Sequence, residues 1–242
     1  MRGLMARCFR PAEEGTAALG ADPGSRPLPR SRLGDFDPTP TRAVTPPPEP
    51  TRMARHVFLT GPPGVGKTTL IQKATEVLKS SGVPVDGFYT EEVRQGGRRI
   101  GFDVVTLSGI RGPLSRIGSE PLPGKRECRV GQYVVDLTSF EQLALPVLRN
   151  AGTSGRPGQS ICVIDEVGKM ELFSQPFIQA VRQALSTPGT VVLGTIPVPK
   201  GKPLALVEEI RTRKDVKVFS VTKENRNHLL PEIVTHVQSS RK

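Results

Sequence analysis

The segment Gly61-Pro62-Pro63-Gly64-Val65-Gly66-Lys67-Thr68-Thr69 constrains this chain more than any other stretch. It fits G-x-x-x-x-G-K-[ST], and its flanks suit that motif. The apolar run HVFLT, His56 to Thr60, reads as a strand. Thr68 to Ser80 then places Leu70, Ile71, Ala74, Val77 and Leu78 on one helical face. A bend between strand and helix gathers backbone N–H groups at a helix N-terminus, where partial positive charge favours an anion. Gly64 and Gly66 allow the backbone to come close. Pro62 and Pro63 carry no N–H, so the donors are expected from Gly64 to Thr69. Lys67 would reach the β- and γ-phosphates of a nucleoside triphosphate. The Thr68 hydroxyl would ligate Mg²⁺, and Thr69 would bond the α-phosphate.

A second segment gains its meaning from the first. Ile161-Cys162-Val163-Ile164-Asp165-Glu166 is an apolar strand that ends in two carboxylates. In open α/β sheets, ligands bind beyond the carboxyl ends of the strands, where both segments would meet. Asp165 is expected to hold Mg²⁺ through water, because this ion keeps part of its hydration shell. Glu166 is the candidate to orient and deprotonate an attacking water. Lys67 and Glu166 are thus the expected catalytic pair, with Thr68 and Asp165 as the metal ligands.

Around these segments, strand and helix patterns alternate. Val85 to Leu107 reads as a hairpin turned at Gly96-Gly97. A polar, basic stretch follows, and Tyr133 to Leu137 is the next strand. A helix is expected to open on a capping box, Ser139 with Gln142, and to kink at Pro146. Gly152 to Gly158 reads as a loop. Ser174 should cap a helix whose inner face is Phe177, Ile178, Val181, Ala184 and Leu185. Thr190 to Thr195 and Val216 to Val221 read as strands, Leu204 to Arg213 as a helix, and a last helical region runs to about Gln238, broken or restarted at Pro231. The fold class is therefore α/β: a P-loop nucleotide-binding fold with a mostly parallel sheet, helices on both faces and an inserted β-hairpin.

Residues 1–52 read differently. They hold 10 of the 24 prolines and show no apolar periodicity, so they read as a disordered extension, with the folded domain at 53–242. Arg2, Arg7 and Arg10 would suit a mitochondrial transit peptide, whereas Glu13, Glu14 and the proline density argue against one. Cys8, Cys128 and Cys162 form no C-x-x-C pair, which suits a reducing, cytoplasmic compartment rather than a disulfide framework. No apolar run approaches the roughly 18 residues of a membrane span. The net charge of +11 suits a polyanionic ligand. With two tyrosines and no tryptophan there are few stacking platforms, so a nucleic-acid partner is not expected. A monomer is.

Several segments carry a family resemblance: TGPPGVGKTTL at Thr60 to Leu70, GFYTEEVR at Gly87 to Arg94, GFDVV at Gly101 to Val105, VGQYVVD at Val130 to Asp136, and IDEVGKMEL at Ile164 to Leu172. Together they resemble the cancer-related nucleoside-triphosphatase family, a small P-loop family with archaeal and bacterial members. The resemblance spans Met53 to Lys242. It implies Mg²⁺-dependent hydrolysis of nucleoside triphosphates such as ATP and GTP to diphosphate and phosphate, with loose base preference. It also implies a second nucleotide-contacting segment made of Ile161, Cys162, Val163, Ile164, Asp165, Glu166, Val167 and Gly168. The extension before Met53 has no counterpart in the family pattern and leaves localisation open.

Two other readings stay open on the sequence alone. One is a nucleotide or small-molecule kinase with a basic lid drawn from Arg111 to Arg129, and the other is a nucleotide-gated nucleic-acid-binding module. Further cations near the phosphates are sought among Arg111, Arg116, Arg126, Arg129 and Lys169. Asn225 and Arg226 follow the last strand, where a base would lie. His56, His228 and His236 show no metal-ligand spacing, and Cys162 reads as a small buried apolar residue.

Overall fold

The apolar strands are sorted by their parallel pairing into one sheet with two covered faces. The computed structural model describes residues 54–118, 128–150 and 160–241. The expected extension over 1–52, the loop at 152–158, and Lys125 and Arg126 lie outside the described residues. Strand β1 (His56–Thr60) leads into helix α1 (Lys67–Ser80). The chain then forms β2 (Val85–Gln95), β3 (Arg98–Thr106) and β4 (Arg111–Ile117). Two short strands follow, β5 (Arg129–Val130) and β6 (Tyr133–Val135), and then α2 (Leu137–Asn150). After β7 (Ser160–Ile164) come a 3₁₀ turn at Glu171–Phe173, α3 (Gln175–Ser186) and β8 (Thr190–Thr195). Helix α4 (Ala205–Thr212), β9 (Val216–Ser220) and α5 (Leu229–Ser239) complete the fold.

The sheet order is β5-β6-β4-β3-β2-β7-β8-β1-β9. The five strands from β2 to β9 in that order pair in parallel. The hairpin of β2 and β3 turns at Gly96 and Gly97, whose φ values of 55° and 77° are the positive angles such a turn needs. That hairpin is only the start of an antiparallel wing continued by β4, β6 and β5. Within the basic stretch after Leu107, Arg111–Ile117 is thus strand: Arg111 and Arg116 reach acidic partners on β2 and β3, while Leu114 and Ser115 are buried.

Side-chain alternation along the strands feeds two cores. Phe58, Cys162, Ile164 and Val192 face one core with α2, α3 and α4. Its centre is a trio of rings, Phe88, Phe140 and Phe177, in edge-to-face contact with centroids 5.0–6.1 Å apart. Val57, Leu59, Ile161, Val163, Val191 and Leu193 face the opposite core with α1 and α5. Helices therefore cover both faces, as the pattern predicts.

Two local expectations are corrected. Val77 is 41% exposed, and Thr75 completes the buried face of α1 in its place. Helix α2 begins two residues before Ser139. The Asp136 carboxylate accepts the Ser139 backbone N–H at 3.0 Å and caps the helix, so Ser139 lies inside the first turn. The helix also runs on through Pro146. The Ser174 hydroxyl accepts the Phe177 N–H at the start of α3, as expected.

His56 is sealed in β1 with no exposed surface. Its Nδ1 accepts the Val192 N–H at 3.0 Å, and Nε2–H donates to the Leu185 carbonyl at 3.0 Å. Both ring nitrogens are satisfied in the neutral form. Burial, with help from the Arg55 charge, lowers its pKa from 6.5 to about 4. The fold thus favours neutral His56, and unfolding takes up a proton at pH values between these two. Its contribution is complete above about pH 6.5 and is lost as pH falls toward 4. Urea unfolding should show about 2 kcal/mol less stability at pH 5 than at pH 7 from this group. The His56→Gln variant should show a correspondingly shallower pH slope over the same range.

Candidate functional site

The loop from Gly61 to Gly66 turns over the carboxyl end of the sheet, between β1 and α1. Gly61 must be glycine for a steric reason. A Cβ there would lie 2.5 Å from the Val221 carbonyl oxygen, just beyond β9. Val65 is buried and pins the loop to the core, whereas Pro62, Pro63 and Gly64 form an exposed outer arc. Gly64 and Gly66 take positive φ values of 73° and 108°. Gly66 stands at the N-cap of α1 with no side-chain cap, and no acid occupies the first turn. The first N–H groups of this helix are therefore open to an anion from outside.

Lys67 folds back over the arc, and its Nζ donates to the Gly61 carbonyl at 3.0 Å and the Pro62 carbonyl at 3.4 Å. Thr68 is partly buried and Thr69 is exposed at the helix start. Arg226 reaches the loop from beyond β9 and donates to the Val65 carbonyl at 3.3 Å. Asn225 beside it is committed to its own turn: its Oδ1 accepts the Thr222 N–H at 2.8 Å, and its Nδ2 donates to the Ser220 carbonyl at 2.9 Å.

The parallel register brings Asp165 to the same edge, directly after β7. Asp165 is 1% exposed. Its Oδ1 accepts the hydroxyl of Thr195, the last residue of β8. Burial raises its pKa, opposed by the Thr195 and Thr68 hydroxyls and by the Lys67 charge. Although Thr68 comes near enough to act on this carboxyl, Oδ2 has no partner that meets hydrogen-bond geometry. Glu166 is pushed up by burial and by Asp165, and Lys67 again opposes the shift. The peptide bond joining the two acids is cis.

A third acid stands behind them. Glu171 is buried, and its Oε2 accepts the Gly168 N–H at 3.1 Å. Burial and the neighbouring Glu166 charge push its pKa up to about 8. A Cβ on Gly168 would come within 2.8 Å of Glu166 and 3.1 Å of Glu171, so glycine there leaves room for both carboxyls.

Of the predicted residues, the structure brings together Gly61 through Thr69, Asp165 and Glu166. It does not aim the side chains of Ile161, Cys162, Val163 and Ile164 at the loop. They alternate into the two cores and hold the strand whose end carries the acids. Burial pushes the Cys162 thiol up to about 12, so it is an apolar packing group. Val167 is buried as well. Arg111 pairs with Glu91 and with Asp103 at 3.5 Å, and Arg116 pairs with Asp103 at 2.5 Å, so both brace the antiparallel wing. Arg129 lies in β5, and Lys169 is exposed near Glu166. Thr195 and Glu171 escape a sequence reading. Thr195 matters only because β8 is the neighbour of β7, and that pairing has no local signal.

The donor set fits a hard divalent ion. Thr68 and Asp165 offer oxygen only, and Asp165 Oδ2 is buried without a partner. Among the described residues no group of three or more His, Cys, Asp or Glu could enclose a metal. An ion here would draw most of its shell from phosphate and water, as suits Mg²⁺.

This geometry has counterparts. A model of the NTPase family matches residues 56–234. The chain belongs to that family. A cancer-related nucleoside-triphosphatase homolog of Bos taurus is 97% identical over 190 residues, which are 78% of this chain and 100% of that protein. The solution structure of a human cancer-related nucleoside triphosphatase is 89% identical, with a TM-score of 0.69 over 78% of this chain and 100% of that one. The crystal structure of THEP1 from the hyperthermophile Aquifex aeolicus is 36% identical, with a TM-score of 0.63 over 76% of this chain and 99% of its own. Membership of the NTPase family agrees with the α/β fold, its parallel core and the glycine loop at its edge.

The loop geometry makes one mechanical demand that can be tested. In Gly61→Ala the added methyl forces the loop away from the Val221 carbonyl. The variant should lose about 1–3 kcal/mol in denaturant unfolding, the usual cost of overpacking. Its nucleotide affinity should fall as well, measured by titration with a fluorescent triphosphate.

Proposed function

We propose that this member of the NTPase family hydrolyses nucleoside triphosphates to diphosphate and phosphate in a Mg²⁺-dependent reaction at the Gly61–Thr69 loop. The observation that carries the reading is the meeting of Asp165 and Glu166 with Lys67 at one sheet edge, close enough for the Lys67 charge to act on both carboxyls. The backbone N–H groups from Gly64 to Thr69 wrap the phosphate chain. Lys67 leaves its carbonyl partners to pair with the β- and γ-phosphates. Thr68 and Asp165 would hold Mg²⁺, which when bound offsets the phosphate charge. The Thr195 hydroxyl fixes the Asp165 carboxylate.

Glu166 orients the attacking water and takes its proton. Glu171 holds the Gly168 N–H and so steadies the turn on which Glu166 sits.

The same reading accounts for loose base preference among ATP, GTP, CTP and UTP. The loop contacts phosphates, which all four share. Asn225, a natural reader of base edges, has its amide spent on its own turn. Arg226 lies where a base would follow the phosphates, and a guanidinium stacks on any base plane.

Phosphate release across the four triphosphates tests the proposal. Glu166→Gln should keep nucleotide affinity and slow turnover by about 10²–10⁴-fold. Lys67→Ala should lower both affinity and turnover, and chelation by EDTA should abolish release. A Glu166→Gln protein that releases phosphate at the wild-type rate would sink the assigned role.

A further inference from the structure

Beside Glu166 the sheet edge opens into a cavity of about 490 Å³. Pro63 of the phosphate loop and Glu166 stand on its border, so it adjoins both the loop and the acid assigned to the attacking water. Its walls come from segments far apart in the chain: Thr90 of β2, Phe102 of β3, Val130 of β5 and Met170 after β7. A fifth segment is the proline-rich connection between β8 and α4, which contributes Val198 and Leu204. Thr90, Phe102, Val130 and Met170 belong to the four segments, other than the glycine loop, on which the family resemblance rests. None of these four side chains is needed to grip phosphate, yet they converge on one space.

The size of that space decides what it is for. An attacking water occupies about 30 Å³, so hydrolysis alone uses a small fraction of the cavity. Sites for small organic ligands run from about 300 to 1,000 Å³, with mostly apolar walls and a few convergent polar groups. This cavity has both properties: its walls are mostly apolar, and Thr90, three glutamates including Glu166 and three lysines including Lys169 bring polar groups to its lining. Arg226, which donates to the Val65 carbonyl, is not among the residues that line the cavity.

We propose that the cavity is a phosphoryl-acceptor site for a small molecule with an apolar, ring-sized body and a hydroxyl group. The inference rests on the hydrolytic reading of the phosphate site and extends it to a second acceptor. The body lies among Phe102, Met170 and Val198, and the hydroxyl replaces water next to Glu166. Glu166 takes the hydroxyl proton, and the alcohol oxygen forms a bond to the γ-phosphorus. The bond from that phosphorus to the bridging oxygen breaks, its electron pair leaving on the diphosphate. The products are a phosphate monoester and a nucleoside diphosphate, and no other reactant is needed.

The test uses the full chain with Mg²⁺, γ-labelled ATP, and three probe alcohols: 3-phenylpropanol, tryptophol and 2-naphthaleneethanol. Transfer should place label in a phosphate ester and lower the ratio of inorganic phosphate to ADP. Val198 is 36% exposed, so Val198→Trp can fill the cavity without rebuilding the core. That variant should cut transfer about tenfold or more, equivalent to roughly 1.4 kcal/mol of lost binding, and leave ADP formation without alcohol unchanged. Val130→Phe should act in the same direction. Phosphate that keeps step with ADP for all three alcohols overturns the acceptor site and leaves hydrolysis standing. Transfer that survives both filling variants also overturns it. No ADP with or without alcohol overturns the hydrolytic reading and this inference together.

Discussion

The parallel pairing of β1, β8 and β7 is the constraint on which the rest of the molecule depends. Parallel strands all end at the same edge of the sheet, and three of them end here in functional groups. β1 ends in the glycine loop, β8 in Thr195 and β7 in Asp165. Their register is tight because Gly194 lets β8 lie close to its neighbours. A Cβ there would meet the Ile164 carbonyl at 2.7 Å and the Phe58 ring at 2.8 Å. Shifting one strand by a residue would turn its core-facing side chains to the other face and move the site with them.

Burial then tunes the chemistry that the edge assembles. Three carboxyls, Asp165, Glu166 and Glu171, sit in little water, and all are pushed toward the neutral form. The counterweights are a single ammonium group and a few hydroxyls and amides. An arriving cation and a triphosphate would enter as a nearly balanced pair, so neither charge need be desolvated alone. With phosphate and water supplying the rest of its shell, such a cation would need only two oxygen ligands from the protein.

The site was legible in sequence to the extent that it is local. A glycine loop between an apolar strand and an amphipathic helix announces itself, and so do two acids at a strand end once that loop is known. Helices on both faces followed from the periodicity of α1 and α3. What escaped depended on distant parts of the chain meeting. Gly112 and Pro113 interrupt the alternation of β4, which hid a strand in what reads as a basic stretch. Asp136 was absorbed into the preceding strand, and the capping signal slid to Ser139. Thr195 and Glu171 look ordinary in one dimension, and the cavity has no linear signature because four separate segments and a loop build it.

The bare start of α1 carries a consequence for the whole protein. Its first N–H groups have no side-chain cap and no acid in the first turn, which leaves them open to a visitor. Occupancy of the loop is therefore part of the folding equilibrium: whatever binds there selectively stabilises the native chain in proportion to its concentration. Through the open start of α1, the resilience of the protein in a cell would track the local supply of phosphate-bearing small molecules.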